Sequence, residues 1–403
     1  MGLLIASEAH FRLAPGGVWA EGPESYEFWE PYREFFPEVR VLARVGLAPE
    51  PAPGWARSEG PGVRFDGLPD YRGPWGYLAS LGALRARVER AVQGADALLL
   101  RAPGAIAYLA FGAARRLGLD AYAVEVLGDP FDSLAGESLV VAPAARRWSR
   151  RRLGELCRRA PLVSYVTRRQ LQQGYPPGGE SFWCSDARLG APAPAAVRAR
   201  RRERLWQAVG RERPFELGML GSLDRLYKAP EVHLAAVARC RRRGIHLRFS
   251  IAGEGRQRPG LERLARQLGI SDIVRFPGRL APGAAVESFL DSLDLFLQAS
   301  RTEGLPRSLV EAMNRGLPAI GSTAGGIPEL LKPEWLVEPG SAAALGALIE
   351  RALSDPQNLE RASALNLETA AQYNPRRLAG RRRSFLGALR DLAEREVARR
   401  VAA

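Results

Sequence analysis

Lysine is almost absent from this chain. Of its 58 basic residues only two are lysines, Lys228 and Lys332, so 56 are arginines. Cysteine is nearly as scarce, and Cys157, Cys184 and Cys240 are scattered and odd in number. That excludes a disulfide framework and zinc-finger spacing, and points to a reduced, cytoplasmic setting. Histidine occurs three times, at His10, His233 and His246. No apolar run approaches the ~18 residues of a membrane span. The start, MGLLIASEAH, lacks a basic n-region and a long apolar core, so it reads as a first buried strand rather than a signal peptide. GxxxxGK[ST] is absent, which excludes a P-loop. Asp-x-Asp is absent too, and no internal repeat or low-complexity tract stands out.

What is present bounds the rest. A chain of 403 residues exceeds what one hydrophobic core usually serves, so two domains are expected. Apolar residues make up 46%, as in a globular protein. The arginine bias is what a GC-rich or heat-adapted genome writes. The net charge of +14 also suits an anionic partner: a nucleotide, a nucleic acid or an acidic lipid. No helix-turn-helix, zinc or RNA-binding motif accompanies the charge, which leaves nucleic-acid binding a distant alternative.

Short apolar runs at 3–7, 39–45, 97–103, 121–127 and 162–167 alternate with helical spacing at 76–93 and 106–118. The second half repeats the plan, with strands expected at 215–220, 246–253, 272–278, 294–300, 317–322 and 334–339. Strand–helix alternation means parallel sheets covered on both faces, an α/β fold. The Pro-, Ala- and Arg-rich stretch 190–204 has weak periodicity and reads as the inter-domain connection. The tail, 375–400, reads as an amphipathic helix whose stripe is Leu378, Phe385, Leu386, Leu389 and Leu392. The division expected is 1–195, 196–375 and a closing helix 376–403.

In such sheets ligands bind beyond the carboxyl ends of the strands. After strand 215–220 come Gly221 and Ser222, then Arg225 and Lys228, then a helix start near Pro230. A small-residue turn, a cation and a helix N-terminus make a phosphate site; the plain alternative is a surface lysine in a loop. Gly253 and Gly255 permit close backbone approach to a ligand, and Arg279 follows the turn after strand 272–276. After strand 294–300 comes RTEGLPRSLVEAMNRGLPAIGS. Glu303 and Gly304 lie in a loop, Leu305 follows, Pro306 opens a helix and Gly316 closes it. The N–H groups of Arg307, Ser308 and Leu309 are expected to face the cleft, with Glu311 over one turn in. Carboxylates there suit sugar hydroxyls. The plain alternatives are a helix-dipole charge for Glu303 and an i,i+4 pair with Arg307 for Glu311. Pro328 is expected to start a further helix at the same place.

From Gly221 to about Gly340 the chain resembles the donor domain of family-four, retaining GT-B glycosyltransferases. The resemblance rests on GSLDRLYKAPE, IAGEGRQRPGLERLARQLGISDIVRFPGRL and ASRTEGLPRSLVEAMNRGLPAIGSTAGGIPELL, with Glu303 and Glu311 fitting Glu-x7-Glu. More coarsely, AHFRLAPGGVWAEG is similar to the glycine loop after the first strand. VEVLGDPFDSL and SYVTRRQLQQGYP are similar to acceptor-domain segments of polysaccharide-building members. The resemblance implies two Rossmann-like domains facing across a cleft, and sugar transfer from a nucleotide-diphosphate sugar to a saccharide or lipid-linked acceptor. A sugar-nucleotide epimerase or phosphorylase on the same fold is the alternative.

The same resemblance implies that Lys228 binds the diphosphate, Glu311 the ribose, and Glu303 with its following amides the sugar. It implies that Gly16 and Gly17 approach the phosphate from the other domain. Glu125 and Asp129 would face the acceptor with His10 nearby, Asp129 acting as a polar catalytic helper. No metal and no cofactor are implied, with Lys228 and Arg225 in a metal's place. The chain departs from the family's pattern at Gly221-Ser222 (usually Gly-Arg), Lys228-Ala229 (usually Lys-Gly) and Gly304-Leu305-Pro306, where Pro306 deletes an amide donor. The stretch 144–162, with seven arginines, one glutamate, Trp148, Leu153 and Leu156, reads either as a solvated helix or as a basic face for peripheral docking on an anionic membrane.

Overall fold

The computed structural model describes residues 1–130 and 142–402, so positions 131–134 of the VEVLGDPFDSL segment lie outside the described residues. Two sheets form. The first contains β1 (Gly2–Ala14), β2 (Gly17–Ala20), β3 (Glu38–Leu47), β4 (Ala56–Arg57), β5 (Val63–Leu68), β6 (Ala97–Ala102), β7 (Tyr122–Val126), β8 (Leu162–Tyr165) and β9 (Glu180–Trp183). The second contains β10 (Phe215–Leu220), β11 (Leu247–Ala252), β12 (Val274–Gly278), β13 (Leu295–Gln298), β14 (Ala319–Ser322) and β15 (Leu336–Val337). Among the described residues the helices around the first sheet are α1 (Tyr26–Arg33), α2 (Gly73–Gln93), α3 (Ala105–Leu117), α4 (Ala142–Arg159) and α5 (Gln170–Gly174). Then come α6 (Ala195–Val209), α7 (Pro230–Arg242), α8 (Arg258–Gln267), α9 (Ala284–Ser292), α10 (Arg307–Asn314), α11 (Ala342–Leu353), α12 (Pro356–Ala370) and α13 (Pro375–Ala402).

The strand order explains where a ligand belongs. The second sheet runs β12-β11-β10-β13-β14-β15, all parallel. Chain order therefore reverses between β10 and β13, and the two crossover directions leave a crevice at their carboxyl ends. The first sheet carries the parallel run β5-β3-β1-β6-β7-β8-β9, with its reversal between β1 and β6. Every residue of β6, β7, β8, β13 and β14 is buried, as strands covered on both faces must be. The two halves are thus doubly wound α/β domains.

Three expectations are refined. The weakly periodic 190–204 stretch, read as the inter-domain connection, is largely helical: α6 occupies Ala195–Val209 and buries Val197, Arg201, Leu205 and Ala208. Those positions have helical spacing, but an arginine interrupts the apolar pattern. Arg201 is 2% exposed and its guanidinium donates to the carbonyls of Leu290, Leu293, Arg315 and Gly316. It thereby caps the carboxyl ends of α9 and α10, whose last carbonyls lack helical partners. Burial, the largest influence, pulls its pKa down to about 10. The strand expected over 334–339 shrinks to Leu336–Val337, preceded by a 3-10 turn at Pro333–Trp335. Pro328 starts no helix beyond the 3-10 turn Ile327–Glu329.

The amphipathic tail forms α13, which leaves the second domain and packs on α1 and on β6 to β9 of the first. Leu378, Phe385, Leu386 and Leu389 are buried, Leu392 half-buried, and Phe385 meets Phe182 of β9. In α4, Leu153 and Leu156 are fully buried while Trp148 is 50% exposed. Leu153 and Leu156 of the basic helix therefore face the protein core, and Trp148 stays at the surface among its arginines.

Candidate functional site

Lys228 and Glu303 sit on the two loops that flank the reversal of the second sheet. Lys228 ends the 3-10 turn Leu226–Lys228 after β10, and Glu303 follows β13. Lys228 Nζ lies 2.9 Å from Glu303 Oε1, and both residues are buried. Burial weakens the ammonium's hold on its proton, but the carboxylate of Glu303 prevails and the Lys228 pKa is raised. An ammonium has three N–H donors, and Lys228 directs one of them to Glu303. The others have no acceptor among the described residues.

The lysine stem explains the glycine before it, since a β-carbon on Gly221 would come within 2.4 Å of Lys228 Cδ and Cε. At Gly253, expected to admit a ligand, the side-chain position is taken by the protein's own chain: a β-carbon would strike the Gly221 carbonyl oxygen at 1.9 Å. Ala229 adopts a left-handed conformation at φ 52°, a place where the absence of glycine costs about 1–2 kcal/mol. His233 holds it there. Its Nδ1 donates to the Ala229 carbonyl at 2.8 Å, and its Nε2 accepts from the Ala299 amide at 3.2 Å. Burial pushes its pKa down to about 4, so the ring is neutral. It ties the end of β13 to the lysine loop. Exposed His246 takes no part.

Glu303 Oε1 also accepts from Gln298 Nε2 at 2.8 Å and from Ser300 Oγ at 3.0 Å. Ser308 Oγ, in the first turn of α10, donates to Gln298 Oε1 at 3.0 Å. Gln298 and Ser300 escaped the sequence reading; the signal was a polar residue closing a fully buried strand and a second one two positions on. Pro306 is the N-cap of α10, and the Leu309 N–H bonds to the Pro306 carbonyl, so it does not face the cleft as expected. Leu305 is buried and Arg307 exposed. Glu311 lies on α10 in range of Arg307 and Lys228, but its carboxylate makes no hydrogen bond or ion pair with another described residue. The i,i+4 pair with Arg307, the plain alternative, is not formed among the described residues. Burial raises its pKa above the ordinary glutamate value, against the pull of Arg307 and Lys228. Ser222 bonds to Asp224, and Arg225 and Arg279 are exposed near the same edge.

The first domain meets this site through the loop after β7. A β-carbon on Gly304 would lie 2.7 Å from the Leu127 carbonyl oxygen and 3.4 Å from Gly128 Cα. Asp129 follows directly, its Oδ2 accepting from the Tyr175 hydroxyl at 2.7 Å. Glu125, expected to face the acceptor, is instead buried in β7 beside Arg101 Nε at 3.3 Å, and the Tyr32 hydroxyl donates to it. Strand alternation turns it toward α1 and α13. Gly16 and Gly17 form the β1–β2 hairpin turn, with Trp19 and Glu59 as nearest neighbours. The end of the central part of β1 carries Glu8, whose Oε1 accepts from the Ile106 amide at 2.6 Å. His10 Nδ1 pairs with Asp70 at 2.8 Å, and Arg12 pairs with the other oxygen of that carboxylate. A groove of about 570 Å³ opens between α1 and α13, but Lys228, Glu303 and Glu311 do not line it. The chemistry of the site, rather than cavity size, marks it.

The sequence profile of "Glycosyl transferases group 1" matches residues 201–368. The GDP-mannose-dependent alpha-mannosyltransferase of Mycobacterium tuberculosis is 30% identical over 292 residues, 71% of this chain and 72% of that protein. The chain belongs to the group 1 glycosyl transferases. Protein CapJ of Staphylococcus aureus is 23% identical over 350 residues, 87% of this chain and 86% of its own. Among solved structures, Anabaena HepE in complex with UDP superposes with a TM-score of 0.64 at 16% identity, covering 96% of this glycosyl transferase and 98% of HepE. That likeness identifies the fold as GT-B, two Rossmann-like domains facing across a cleft.

Proposed function

We propose that this glycosyl transferase moves a sugar from a nucleotide-diphosphate sugar to a saccharide or lipid-linked acceptor, with retention and without a metal, in cell-surface polysaccharide or glycolipid synthesis. In this reading residues 1–195 bind the acceptor, 196–375 the donor, and 376–403 cross back. The observation that carries it is the buried Lys228–Glu303 pair at the sheet reversal; among the described residues Lys228 has N–H donors left over and Glu311 beside it has no partner. Lys228 and the first amides of α10 take the diphosphate, supported by Arg225. Glu303 takes the sugar hydroxyls and Glu311 the ribose hydroxyls. HepE, similar in fold, was solved with UDP. The mannosyltransferase relative is named for GDP-mannose.

In the reaction proposed, the acceptor hydroxyl attacks the anomeric carbon from the face the diphosphate leaves. The carbon–oxygen bond to phosphate breaks, the new glycosidic bond forms, and the hydroxyl proton passes to the departing phosphate oxygen. Asp129, held by Tyr175, orients the acceptor. The absence of Asp-x-Asp supports cations in a metal's place. The test is incubation with UDP- and GDP-sugars, with and without acceptors and chelator, and proton NMR of the product anomer. A retained anomer, formed in chelator and only with acceptor, is expected. An inverted product or chelator-sensitive activity overturns the mechanism, and nucleotide release without acceptor favours the epimerase-type alternative.

The exposed arginines of α4 around Trp148, with the Arg152 guanidinium 5.9 Å from the Trp148 ring, support peripheral contact with an anionic membrane. Flotation with anionic vesicles at physiological salt tests this; absence of binding sinks it. No helix among the described residues is long and apolar enough to cross a membrane.

A further inference from the structure

We propose that Glu329 is a positioning residue for sugar transfer: it clasps the first domain and sets the width of the cleft at Glu303. Its carboxylate faces three consecutive main-chain amides of the other domain. Oε2 accepts from the Arg168 N–H at 2.6 Å, Oε1 accepts from the Arg169 N–H at 2.8 Å, and Oε1 also accepts from the Gln170 N–H. Successive amides turned to one side form a concave anion seat, and bonds from such amides to a carboxylate are charge-assisted. Residues 168–170 follow β8 and lead into α5, whereas Glu329 ends the turn after β14. Among the described residues this is a side-chain clasp between two loops that both leave the carboxyl ends of their sheets.

The clasp is stiffly joined to the donor loop. The Gly326 N–H donates to the Gly304 carbonyl at 2.7 Å. A β-carbon on Gly325 would fall 1.7 Å from the Glu303 carbonyl oxygen, and one on Gly326 would fall 2.6 Å from the Gly304 carbonyl oxygen and 3.0 Å from Thr167 Cγ2. The chain from Gly325 to Glu329 therefore rests on Glu303 and Gly304 at one end and holds 168–170 at the other. Gly304 in turn lies against Leu127 and Gly128. Releasing Glu329 lets the first domain swing away from Glu303, taking Asp129 and the acceptor loop with it. Nucleotide contacts, which lie within the second domain, are untouched. The inference rests on the assignment of Lys228 and Glu303 to the donor.

The test compares full-length wild type with Glu329→Gln, Glu329→Ala and the conservative Glu329→Asp. Small-angle scattering gives the radius of gyration, calorimetry the affinity for UDP and for GDP, and nucleotide release the turnover of UDP-glucose and GDP-mannose. The expected result for the Gln and Ala variants is a larger radius, a nucleotide Kd within about twofold of wild type, and turnover down about tenfold or more, with Asp restoring part of it. An unchanged radius, or turnover within twofold of wild type, overturns the proposal. A merely structural contact predicts instead a fall in melting temperature with turnover per folded molecule preserved, which also overturns it. If the Ala variant does not fold, the Gln and Asp variants carry the comparison. Wild type that binds neither UDP nor GDP defeats the donor assignment, while the scattering comparison still decides the clasp.

Discussion

Lys228 illustrates how a residue's environment sets its chemistry. Buried alone, an ammonium sheds its proton; beside Glu303 it stays charged. Its stem is seated against Gly221, so Lys228→Met keeps the packing and removes the charge. Turnover is expected to fall by about a hundredfold or more, the scale of losing one transition-state donor, with an unchanged circular dichroism spectrum. Near-normal turnover would remove Lys228 from the site. Glu311 presents the opposite case, a desolvated carboxylate with no hydrogen-bond or ion-pair partner among the described residues. Its raised pKa means the folded protein favours the protonated form, so its contribution to stability is present in acid and lost as pH rises through that raised value. Glu311→Gln should therefore raise the melting temperature at pH 7, by about 0.5–2 kcal/mol in stability, and weaken nucleotide binding. Calorimetry at pH 7 and pH 4 checks both, and the stability gain should shrink at pH 4. His233 has a depressed pKa, so its contribution is present above its ordinary 6.5 and lost as pH falls toward about 4. Melting curves across that window should decline for wild type and flatten for His233→Gln, compared with the wild-type slope.

At the scale of elements, a buried arginine ties α6 to its neighbours. Arg201 satisfies four carbonyls at the ends of α9 and α10, and these ends carry Glu311's helix. Arg201→Leu fills much of the volume but removes the charged donor from all four carbonyls, leaving Leu293 O to Arg204 and Gly316 O to Ser363 Oγ. The expected cost is about 3–5 kcal/mol, as for breaking a buried charged contact, read as a lower urea midpoint. A midpoint within experimental scatter of wild type would show that water or a neighbour replaces the guanidinium. The same residue shows why α6 was illegible from sequence. Period-based reading looks for apolar residues, and a buried arginine at the centre of the face breaks the pattern. Glycines carried a related ambiguity. Gly253 and Gly221 signal close approach equally well whether the neighbour is a ligand or another turn of the same chain.

At the scale of the whole molecule, α13 joins the two domains. Arg382 enters the first domain beside Cys184, 3.9 Å from its sulfur, and close to Glu125 and Tyr32. Burial opposes its charge, yet Tyr32, Cys184 and Glu125 prevail and its pKa is raised. Arg382→Ala leaves these groups facing a void and should loosen the helix. Limited proteolysis is expected to release the C-terminal segment earlier than in wild type, with a stability loss of about 3 kcal/mol. Equal digestion rates would show that the apolar stripe from Leu378 to Leu389 suffices.

The sequence by itself determined the local order of this protein. Strand and helix alternation, Pro230 and Pro306 at helix starts, Gly316 at a helix end and the spacing of Glu303 from Glu311 depend on neighbours a few residues apart. Covalent geometry and side-chain periodicity express them directly. Only the tertiary structure decided what each polar group faces. Lys228 and Glu303 are 75 positions apart and become partners because the strand order reverses between β10 and β13. Glu125 looked accessible and is turned inward by strand alternation, and Glu329 finds amides 159 to 161 positions away. Long-range pairing depends on the packing of whole sheets, which no window of neighbouring residues contains.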